Sequence, residues 1–365
     1  MDEAIEALAE QIRAAASTRT PLRIRAGGSK DFYGNPPHGA MLDPRAACGV
    51  VAYEPTELAL AARCGTTLAE IETLLESHGQ MLAFEPPRFA AGATIGGCIA
   101  CGLAGPRRAS AGYAYGGVRD FVLGARLLDG RSQLLSFGGM VMKNVAGYDA
   151  ARLLVGSLGA LGVIVEVSLK VVPRHPVETT LQFSMGESAA LNQLNTWGGL
   201  PLPISASAWQ GDALWIRLAG SAAAVTSAAA RLGGEPLAPE AGAAHWLGLR
   251  EQTDPFFAGD TPLWRLSLPP TAAPLGLGSR QLIEWGGAQR WIRTDLPAAE
   301  IRARAAESGG HATLFRGGDR SAGVFSPLSS GLAAIHQRLR SQFDPHGIFD
   351  AGRLFPDTPH ADRTR

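Results

Sequence analysis

The chain has 365 residues, enough for two domains with sizeable hydrophobic cores. Its 33 basic and 33 acidic residues balance. This balance argues against nucleic acid as the main partner, because binding a phosphate backbone normally requires a basic surface. The 45 glycines and 24 prolines predict frequent turns and close approaches between backbone segments.

Hydrophobic periodicity and capping signals predict alternating helices and strands in the first half of the chain. Thr67 is a good N-cap, Glu70 completes a capping box, and Gly79 follows the end of that helix. The other predicted helices span residues 2–16 and 55–63. The predicted strands span residues 22–25, 50–52, 122–128, 133–137 and 163–172. The Asp129-Gly130 pair before the fourth of these strands predicts a hairpin.

The composition changes near residues 173–176, which predicts a second domain. All seven tryptophans lie between Trp197 and Trp291, and glycine-rich segments give way to alanine-rich helices and tryptophan-bearing strands. A last helix is predicted over residues 332–343. The predicted parts are a first domain over residues 1–175, a smaller α+β domain over 176–331, a C-terminal segment over 332–357 and a mobile tail over 358–365.

The N-terminus and the most apolar run predict a cytoplasmic protein. Residues 1–16 begin acidic and have helical periodicity, unlike the basic and then apolar pattern of a signal peptide. The most apolar run, residues 153–172, contains Glu166, Lys170 and three glycines, so it is not a candidate transmembrane helix. Peripheral attachment to the inner face of a membrane through a partner would not produce a recognisable feature in this sequence.

The four cysteines do not indicate a disulfide framework or a metal site. Cys98 and Cys101 form a CxxC pair, and the other two are Cys48 and Cys64. A zinc site needs a second pair or histidines at matching spacing, and an iron–sulfur cluster needs more cysteines. We therefore expect no metal, and we interpret the CxxC pair as small buried thiols in a glycine-rich loop.

Three glycine-rich segments could bind an anion. They are "RAGGSK" at 25–30, "GATIGGCIACGLAGP" at 92–106 and "GSLGALGVI" at 156–164. Neither the P-loop nor the dinucleotide fingerprint GxGxxG fits them. Backbone N–H groups around glycines can still form a concave phosphate site, and Ser29 and Lys30 add a hydroxyl and a cation. Two such loops could hold an extended pyrophosphate from both sides, although a single glycine-rich loop is more often only a turn.

The three segments occur in a characteristic order. A strand leads into "RAGGS", "TIGGCIACG" follows about sixty residues later, and then come "GYD" and "GSLGALGVI" before an alternating strand. This order resembles the FAD-binding domain of the vanillyl-alcohol oxidase superfamily, also called the PCMH-type domain. Four longer segments narrow the resemblance to the E subunits of bacterial glycolate oxidase (glycolate dehydrogenase): "CGLAGPRR", "VRDFVLGARLLDG", "FGGMVMKNVAGYDAARLLVGSLGALGVI" and "FDPHGIFDAGR".

The resemblance implies the fold and the cofactor contacts. The fold is α+β, with a two-lobed PCMH-type FAD domain and a smaller cap-like α+β domain inserted before a C-terminal segment that returns to the FAD domain. The first segment would wrap the FAD pyrophosphate, the second would lie along the pyrophosphate and the flavin, and the third would meet the nucleotide. The implied cofactor-binding residues are Ala26, Gly27, Gly28, Ser29, Lys30, Thr94, Gly96, Gly97, Ala100, Gly102, Gly159, Gly162 and Val163.

Two departures from the family pattern modify this expectation. Many relatives attach flavin covalently through a histidine in a GG-H pattern, and Ser29 stands at that place here, so FAD should bind non-covalently. His38 is interpreted as an ordinary loop histidine. The first segment also has Ala26 where a third glycine is common.

The substrate-oxidising signature of the related 2-hydroxy-acid dehydrogenases is absent from the sequence. Those enzymes carry the histidine-rich motif HxGDxNxH, whereas no two of the eight histidines here lie within nine residues of each other. Substrate oxidation needs a base near the hydroxyl and a cation for the carboxylate, and no pattern in the second half indicates either. The catalytic residues therefore stay unassigned.

The resemblance implies a division of labour between subunits. A sister FAD-linked subunit would oxidise glycolate to glyoxylate, an iron–sulfur subunit would carry electrons away, and this chain would bind FAD and relay electrons or help assembly. One alternative is a self-sufficient FAD-dependent dehydrogenase for a small 2-hydroxy acid. Another is a non-catalytic assembly subunit with a degenerate FAD site, which the shortened first loop keeps open.

Several other residues have competing interpretations. Arg107-Arg108 could neutralise a phosphate or bind a substrate carboxylate, although a solvated loop is the more frequent explanation. Lys143-Asn144 and Tyr148-Asp149 could approach the flavin ring or belong to a strand end and turn. The tryptophan-rich region could be a partner interface, but core packing is the more common reason for such a pattern. No nucleophile elbow is present, so hydrolase chemistry has no support.

Overall fold

The computed structural model describes residues 2–107, 116–140, 149–278, 280–349 and 351–354. Within these ranges the helices are α1 (Glu3–Thr18), α2 (Leu68–Ser77), α3 (Ile95–Cys101), α4 (Val118–Phe121), α5 (Glu187–Gly198), α6 (Ala222–Leu232), α7 (Pro239–Glu251), α8 (Ala298–Glu307) and α9 (Ser330–Phe343). The strands of the first half are β1 (Leu22–Ile24), β2 (Ala40–Leu42), β3 (Val50–Glu54), β4 (Ala59–Arg63), β5 (Gln80–Met81), β6 (Val122–Leu128), β7 (Leu134–Gly138), β8 (Val163–Lys170) and β9 (Val172–Pro173). The later strands are β10 (Val177–Ser184), β11 (Ile204–Gln210), β12 (Ala213–Gly220), β13 (Glu235–Pro236), β14 (Leu263–Ser267), β15 (Gln281–Glu284), β16 (Gln289–Arg293) and β17 (His311–Arg316).

The first large sheet has five strands in the order β3-β4-β8-β6-β7, and all its pairs are antiparallel. β8 is its central strand, and its apolar side chains enter two different cores. One core contains the buried faces of α2 and α3, and the other contains Ile5, Leu8 and Ile12 of α1. The sheet is therefore covered by helices on both faces, as its mostly buried central strand requires.

The second large sheet has eight antiparallel strands in the order β13-β10-β12-β11-β15-β16-β14-β17. Helices α5 and α6 contribute to one of its cores, and α8 contributes to another. A further core joins this sheet to the first half of the chain, since Tyr33, Cys101 and Leu103 pack there with Trp291 and Phe315. The domain boundaries at residues 175 and 331 stay predictions.

The C-terminal segment after α9 lies beside the first strand. Leu22 N donates to the Ile348 carbonyl oxygen at 2.6 Å, and Leu22 forms an isolated parallel bridge with Phe349. β1 also pairs in parallel with β2. Residues more than 300 positions apart therefore support the same loop that follows β1.

Several predicted elements are confirmed. The capping box of α2 forms, with Thr67 Oγ1 accepting from Glu70 N and Glu70 Oε2 accepting from Thr67 N. The hairpin of β6 and β7 also forms, and Asp129 Oδ1 accepts hydrogen bonds from the backbone of Arg131 and Gln133 in its loop. These elements depend on local signals that the sequence shows directly.

Two predicted elements are wrong. Residues 55–63 do not form an α-helix: Pro55–Glu57 is a single 3₁₀ turn, Leu58 ends it, and Ala59–Arg63 is strand β4. The alanines of β4 favour helix locally, but pairing with β8, including Ala62 opposite Val167, overrides that preference. The CxxC pair does not lie in a loop, because residues Ile95–Cys101 form α3.

The tryptophans are core residues. Six of the seven are buried, and Trp215 is half-buried. The core-packing interpretation is therefore confirmed. In the described ranges, no helix combines the length and the apolar character that crossing a membrane requires.

Candidate functional site

The three glycine-rich segments meet in one cleft. The first segment follows β1, the second includes α3, and the third leads into β8. The cleft encloses about 740 Å³ when its solvent-open part is included. Its walls are formed by Ile24, Arg25, Ala26, Gly27, Gly28, Ser29, Lys30, Asp31, Pro44, Cys64, Thr94, Gly96, Gly97, Ala100, Cys101, Leu158, Gly159, Gly162, Ile164 and Arg353.

The first and second segments touch through their backbones. A Cβ atom on Gly27 would lie 1.6 Å from the carbonyl oxygen of Gly92, so only glycine fits there without moving the chain. Gly28 follows with φ 69°, in the left-handed region that favours glycine. Arg25 Nε donates to Asp31 Oδ2 at 2.6 Å across the loop. These features hold residues 25–31 as a tight turn against the second segment.

The second segment forms a short helix that begins in the cleft. Thr94 is the N-cap of α3, and its Oγ1 accepts from Gly97 N at 3.2 Å. Gly96 packs against Cys64 of the five-stranded sheet, and a Cβ there would lie 2.8 Å from the Cys64 carbonyl oxygen. The absence of a side chain at residue 96 therefore lets the first turn of α3 pack closely against the sheet at the wall of the cleft.

The third segment is tied to the end of α3. Gly156 N donates to the Ile99 carbonyl oxygen at 3.0 Å, and Leu158 N donates to the Ala100 carbonyl oxygen at 2.9 Å. These bonds satisfy two carbonyl groups that a helix end leaves without a partner. Gly159 and Gly162 then line the cleft before β8 begins. The three segments thus form one connected wall.

Lys30 places a buried cation in this wall. The residue is 6% exposed, and its Nζ donates to Ser29 Oγ at 3.3 Å and to the Arg88 carbonyl oxygen at 3.4 Å. The ammonium also lies 5.4 Å from the centroid of the Phe89 ring. Both hydrogen bonds are long and reach neutral oxygens, so an anion in the cleft would be a stronger partner.

The C-terminal segment supports the first loop from behind. Arg353 is 8% exposed, and its Nη2 donates at 3.1 Å to the carbonyl oxygens of both Lys30 and Tyr33. Asn35 Nδ2 donates to the Gly352 carbonyl oxygen at 2.8 Å. The chain from Lys30 to Asn35 is therefore held by residues that are more than 300 positions away.

Eleven of the thirteen sequence-predicted cofactor residues line the cleft. They are Ala26, Gly27, Gly28, Ser29, Lys30, Thr94, Gly96, Gly97, Ala100, Gly159 and Gly162. Gly102 lies elsewhere: it ends α3 with φ 63°, and its backbone faces Gly156. Val163 is fully buried in the core beneath α1, whereas its neighbour Ile164 lines the cleft. Successive strand residues point to opposite faces, which explains that difference.

The sequence did not point to several other residues of the cleft. Cys64, Pro44 and Arg353 come from elements outside the three glycine-rich segments. Cys64 and Pro44 have no local signal for their position, whereas Arg353 ends the C-terminal segment that the family resemblance returns to the FAD domain. Arg25 begins the first segment and Asp31 follows it, and their opposite charges six residues apart could have suggested a pair across a turn. His38, interpreted as a loop histidine, is exposed and is not among the residues that form the cleft.

The buried thiols in and beside the cleft are unsuited to nucleophilic chemistry. Cys64, Cys98 and Cys101 are buried free cysteines, which confirms the interpretation as small buried thiols, and Cys48 is exposed. Burial raises the pKa of Cys98 to about 12, although the Lys30 ammonium acts in the opposite direction. Burial likewise raises the pKa of Cys64 and of Cys101. All three thiols are therefore protonated at neutral pH.

Arg107 has a structural role that the sequence did not predict. It is 2% exposed, its Nε donates to Glu85 Oε1 at 3.1 Å, and it also pairs with Glu178. The solvated-loop interpretation is wrong for this residue, because its side chain is buried and paired with two carboxylates. Asp149 is exposed and pairs with Arg152. Arg108, Lys143, Asn144 and Tyr148 lie outside the described residues.

Comparison with known proteins identifies the family. The chain is 47% identical over 352 residues to the glycolate oxidase subunit GlcE of Escherichia coli (strain K12), a match that covers 96% of this chain and 97% of that protein. This chain belongs to the GlcE family of glycolate oxidase subunits. It is also 30% identical over 165 residues to the glycolate oxidase subunit GlcD of Bacillus subtilis (strain 168), covering 45% of this chain and 34% of that protein.

The family model described as an FAD binding domain matches residues 3–138, so the cofactor is FAD. Among solved structures, alkyldihydroxyacetonephosphate synthase aligns with a TM-score of 0.63 at 13% identity, over 94% of this chain and 74% of that one. That similarity shows the shared fold. The α+β fold expected from the PCMH-type resemblance is therefore confirmed.

The residues of the cleft fit a dinucleotide with a charged pyrophosphate. Lys30 supplies a buried ammonium without an anionic partner in the described part of the chain. The glycines at 27 and 96 let neighbouring backbone segments pack closely, so the wall of the cleft is formed there by backbone groups.

Proposed function

We propose that this chain is the FAD-binding subunit of a multisubunit glycolate oxidase that converts glycolate to glyoxylate. The observation that carries the proposal is the cleft itself, in which eleven of the implied FAD contacts meet around a buried lysine. The similarity to subunit GlcE along nearly the whole chain supports the choice of reaction. In this account the protein is part of an FAD-dependent oxidoreductase.

The cofactor contacts are assigned to the chain's own groups. The backbone of residues 26–30 and the Lys30 ammonium would hold the pyrophosphate, and Thr94, Gly96, Gly97 and Ala100 would face the cofactor from α3. Gly159 and Gly162 would contact the nucleotide. Bound FAD accepts two electrons from a substrate and can pass them on singly. Ser29 occupies the place of the linking histidine in many relatives, so we infer that the cofactor is held without a covalent bond.

Substrate oxidation is assigned to a sister subunit. The chain is related to proteins named as two different subunits of glycolate oxidase, E and D, which supports an assembly of several related chains. We infer that the D-type subunit carries the substrate chemistry and that an iron–sulfur subunit receives the electrons. This chain would then bind FAD and relay electrons within the complex.

The proposal can be tested with the reconstituted complex. The test compares glycolate-dependent reduction of an artificial acceptor by complexes that contain the normal chain, Lys30→Met or Lys170→Met. Lys170 lies on β8 and is not among the residues that line the cleft. Loss of a charge-assisted contact should weaken FAD binding by roughly tenfold or more for Lys30→Met, with a matching loss of activity, and leave Lys170→Met unchanged.

Two outcomes would contradict the proposal. Full activity of a complex in which this chain carries no FAD would remove the cofactor role. Glycolate oxidation by the isolated chain, at the rate of the complex, would favour the self-sufficient dehydrogenase instead.

A further inference from the structure

The charged side chains of the cofactor cleft leave two cations without a carboxylate partner. The charged residues in its wall are Arg25, Lys30, Asp31 and Arg353. Arg25 and Asp31 neutralise each other, since Arg25 Nε donates to Asp31 Oδ2 at 2.6 Å. Lys30 and Arg353 form no ion pair in the described part of the chain, and their hydrogen bonds reach neutral oxygens. The wall therefore carries two uncompensated positive charges, and a pyrophosphate diester carries one negative charge on each of its phosphates.

Arg353 has one guanidinium nitrogen that is available to a ligand. The residue is 8% exposed, so most of the side chain is fixed by burial. Its Nε donates to the Tyr33 carbonyl oxygen at 3.3 Å, and its Nη2 donates at 3.1 Å to the carbonyl oxygens of Lys30 and Tyr33. Among the described residues, none accepts a hydrogen bond from Nη1. A guanidinium carries its N–H donors in a rigid planar fork, and the two on Nη1 are left for an anion in the cleft.

Lys30 and Arg353 act on the same region of the cleft. Cys101 lines the wall, and burial raises the pKa of its thiol. The Lys30 ammonium and the Arg353 guanidinium both oppose that rise, whereas the Asp31 carboxylate adds to it. Arg353 also donates to the backbone of Lys30 itself. The two cations therefore contribute to one positively charged part of the wall.

Arg320 supports the same loop without lining the cleft. Its Nη1 donates to the Gly34 carbonyl oxygen at 2.9 Å, and its Nη2 donates to the Phe32 carbonyl oxygen at 2.8 Å. It is not among the residues that form the cleft. Burial lowers the pKa of Arg320, and the nearby Arg353 guanidinium lowers it further. Arg320 and Arg353 thus make the same kind of backbone contact, and of these two only Arg353 also lines the cofactor cleft.

We propose that Arg353 binds the FAD pyrophosphate directly through Nη1 and thereby sets the preference of the cleft for a flavin that carries a diphosphate. Charge-assisted hydrogen bonds from guanidinium groups to phosphate oxygens are strong and depend on geometry. The carbonyl oxygens of the first loop hold the guanidinium in place for this contact. Riboflavin, which has no phosphate, gains nothing from it. The identity of the cofactor rests on the proposed function, whereas the choice of Arg353 rests on the charged groups of the cleft.

The test measures the dissociation constants of the flavin-free, full-length chain for FAD, ADP and riboflavin. Flavin fluorescence reports the binding of FAD and riboflavin, and displacement of FAD reports the binding of ADP. ADP carries the diphosphate without the flavin, whereas riboflavin carries the flavin ring without the diphosphate. Arg353→Gln removes the cation from the cleft. Arg320→Gln is the matched control, because it removes carbonyl contacts to the same loop from outside the cleft.

For Arg353→Gln we expect the dissociation constants for FAD and ADP to rise roughly tenfold or more, because a charge-assisted contact is lost, while that for riboflavin stays within about twofold. The ratio of the riboflavin constant to the FAD constant should therefore fall in Arg353→Gln and stay unchanged in Arg320→Gln. If Arg353 acted only through the backbone of the loop, both variants would shift this ratio alike, and that result would overturn the inference.

A crystal structure of the FAD-loaded chain gives an answer even if Arg353→Gln does not fold. We expect a phosphate oxygen of FAD within about 3.5 Å of Arg353 Nη1. A pyrophosphate that is bound by Lys30 and leaves Nη1 without a hydrogen bond would overturn the inference. Failure of the normal chain to bind FAD would refute the proposed function, whereas FAD binding with an unchanged ratio in Arg353→Gln would refute the Arg353 contact alone.

Discussion

Gly27 determines how closely the first two glycine-rich segments approach each other. Its backbone packs directly against the carbonyl group of Gly92, and a Cβ atom on Gly27 would lie 1.6 Å from that carbonyl oxygen. The contact aligns the turn at residues 25–31 with the segment that leads into α3. The position of Lys30 in the cleft therefore depends on a residue that carries no functional group.

Gly27→Ala should separate the two segments and weaken FAD binding strongly. Overpacking of this kind costs about 1–3 kcal/mol of folding free energy, and here the clash is with backbone, which cannot rotate away. Gly331→Ala is the matched control, because a Cβ at that position in α9 meets no atom within 4 Å. FAD content per chain and the thermal midpoint should both fall for Gly27→Ala only. Normal FAD content in Gly27→Ala would contradict this view of the cleft.

Glu85 links the two halves of the molecule through buried ion pairs. Its Oε2 accepts from Arg217 Nη2 at 2.9 Å, and its Oε1 accepts from Arg107 Nε at 3.1 Å. Arg217 lies on β12 of the eight-stranded sheet, whereas Glu85 and Arg107 belong to the first half of the chain. Burial alone would raise the pKa of Glu85, but the Arg217 and Arg107 guanidinium groups outweigh it and hold the pKa at about 2.

Glu85→Gln should destabilise the fold by roughly 3 kcal/mol, because it leaves the buried Arg217 guanidinium without its carboxylate and leaves Arg107 paired only with Glu178. Glu6→Gln is the control, since the Arg13–Glu6 pair is about half exposed and should contribute less than about 1 kcal/mol. Urea unfolding at neutral pH measures both differences. Equal stability of the two variants would contradict the role assigned to Glu85.

The same carboxylate predicts a pH dependence. The folded-state pKa of Glu85 is about 2 and its ordinary value is 4.5, so the unfolded chain takes up the proton first as the pH falls. The stabilisation is fully present above about pH 4.5 and is lost as the pH falls towards 2. Unfolding free energies measured across this interval should fall less steeply in Glu85→Gln than in the normal chain. Identical slopes would mean that the pKa of Glu85 is not lowered in the folded protein.

At the scale of elements, α3 is short and depends on its cap. The helix has seven residues, two of them glycine, so its intrinsic stability is low. Thr94 satisfies Gly97 N at the first turn, and the third glycine-rich segment satisfies carbonyl groups at the last turn. The helix is therefore held in position by its ends.

Thr94→Ala should lower stability by about 1 kcal/mol and should also reduce FAD affinity. Thr67→Ala is the matched control, because Thr67 caps α2 in the same way but is not among the residues that line the cleft. The two variants should lose similar free energies of unfolding in urea. Only Thr94→Ala should show a higher dissociation constant for FAD in fluorescence titration. Equal FAD affinities would show that the α3 terminus does not contact the cofactor.

The sequence predicted the elements that depend on neighbouring residues. The capping box of Thr67 and Glu70 and the hairpin at Asp129 involve residues within a few positions of each other. Strand β4 was missed because its alanines favour helix locally, and only pairing with β8 makes it a strand. Long-range structure of this kind leaves little local signal.

At the scale of the molecule, the cofactor cleft and the contacts between the two halves of the chain differ in how far the sequence reveals them. The glycine-rich segments have a family-specific order, so most residues of the cleft were identified from the sequence. Arg265, Glu284 and Gln289 lie on three strands of the eight-stranded sheet, and their position opposite Leu103 depends on the packing between the two halves. No local pattern marks these three positions. Arg353 reaches Lys30 across 323 positions, and there the family-specific segment that ends at Arg353 predicted the return to the FAD domain but not the contact itself.

The most direct test of the account is the visible spectrum of the purified chain, recorded before and after acid precipitation. The account predicts the twin absorption bands of a flavin, and it predicts that the pigment moves to the supernatant, because Ser29 provides no covalent link. A chain that stays colourless after incubation with FAD would contradict the cofactor role of the cleft. Pigment that stays with the precipitate would contradict non-covalent binding.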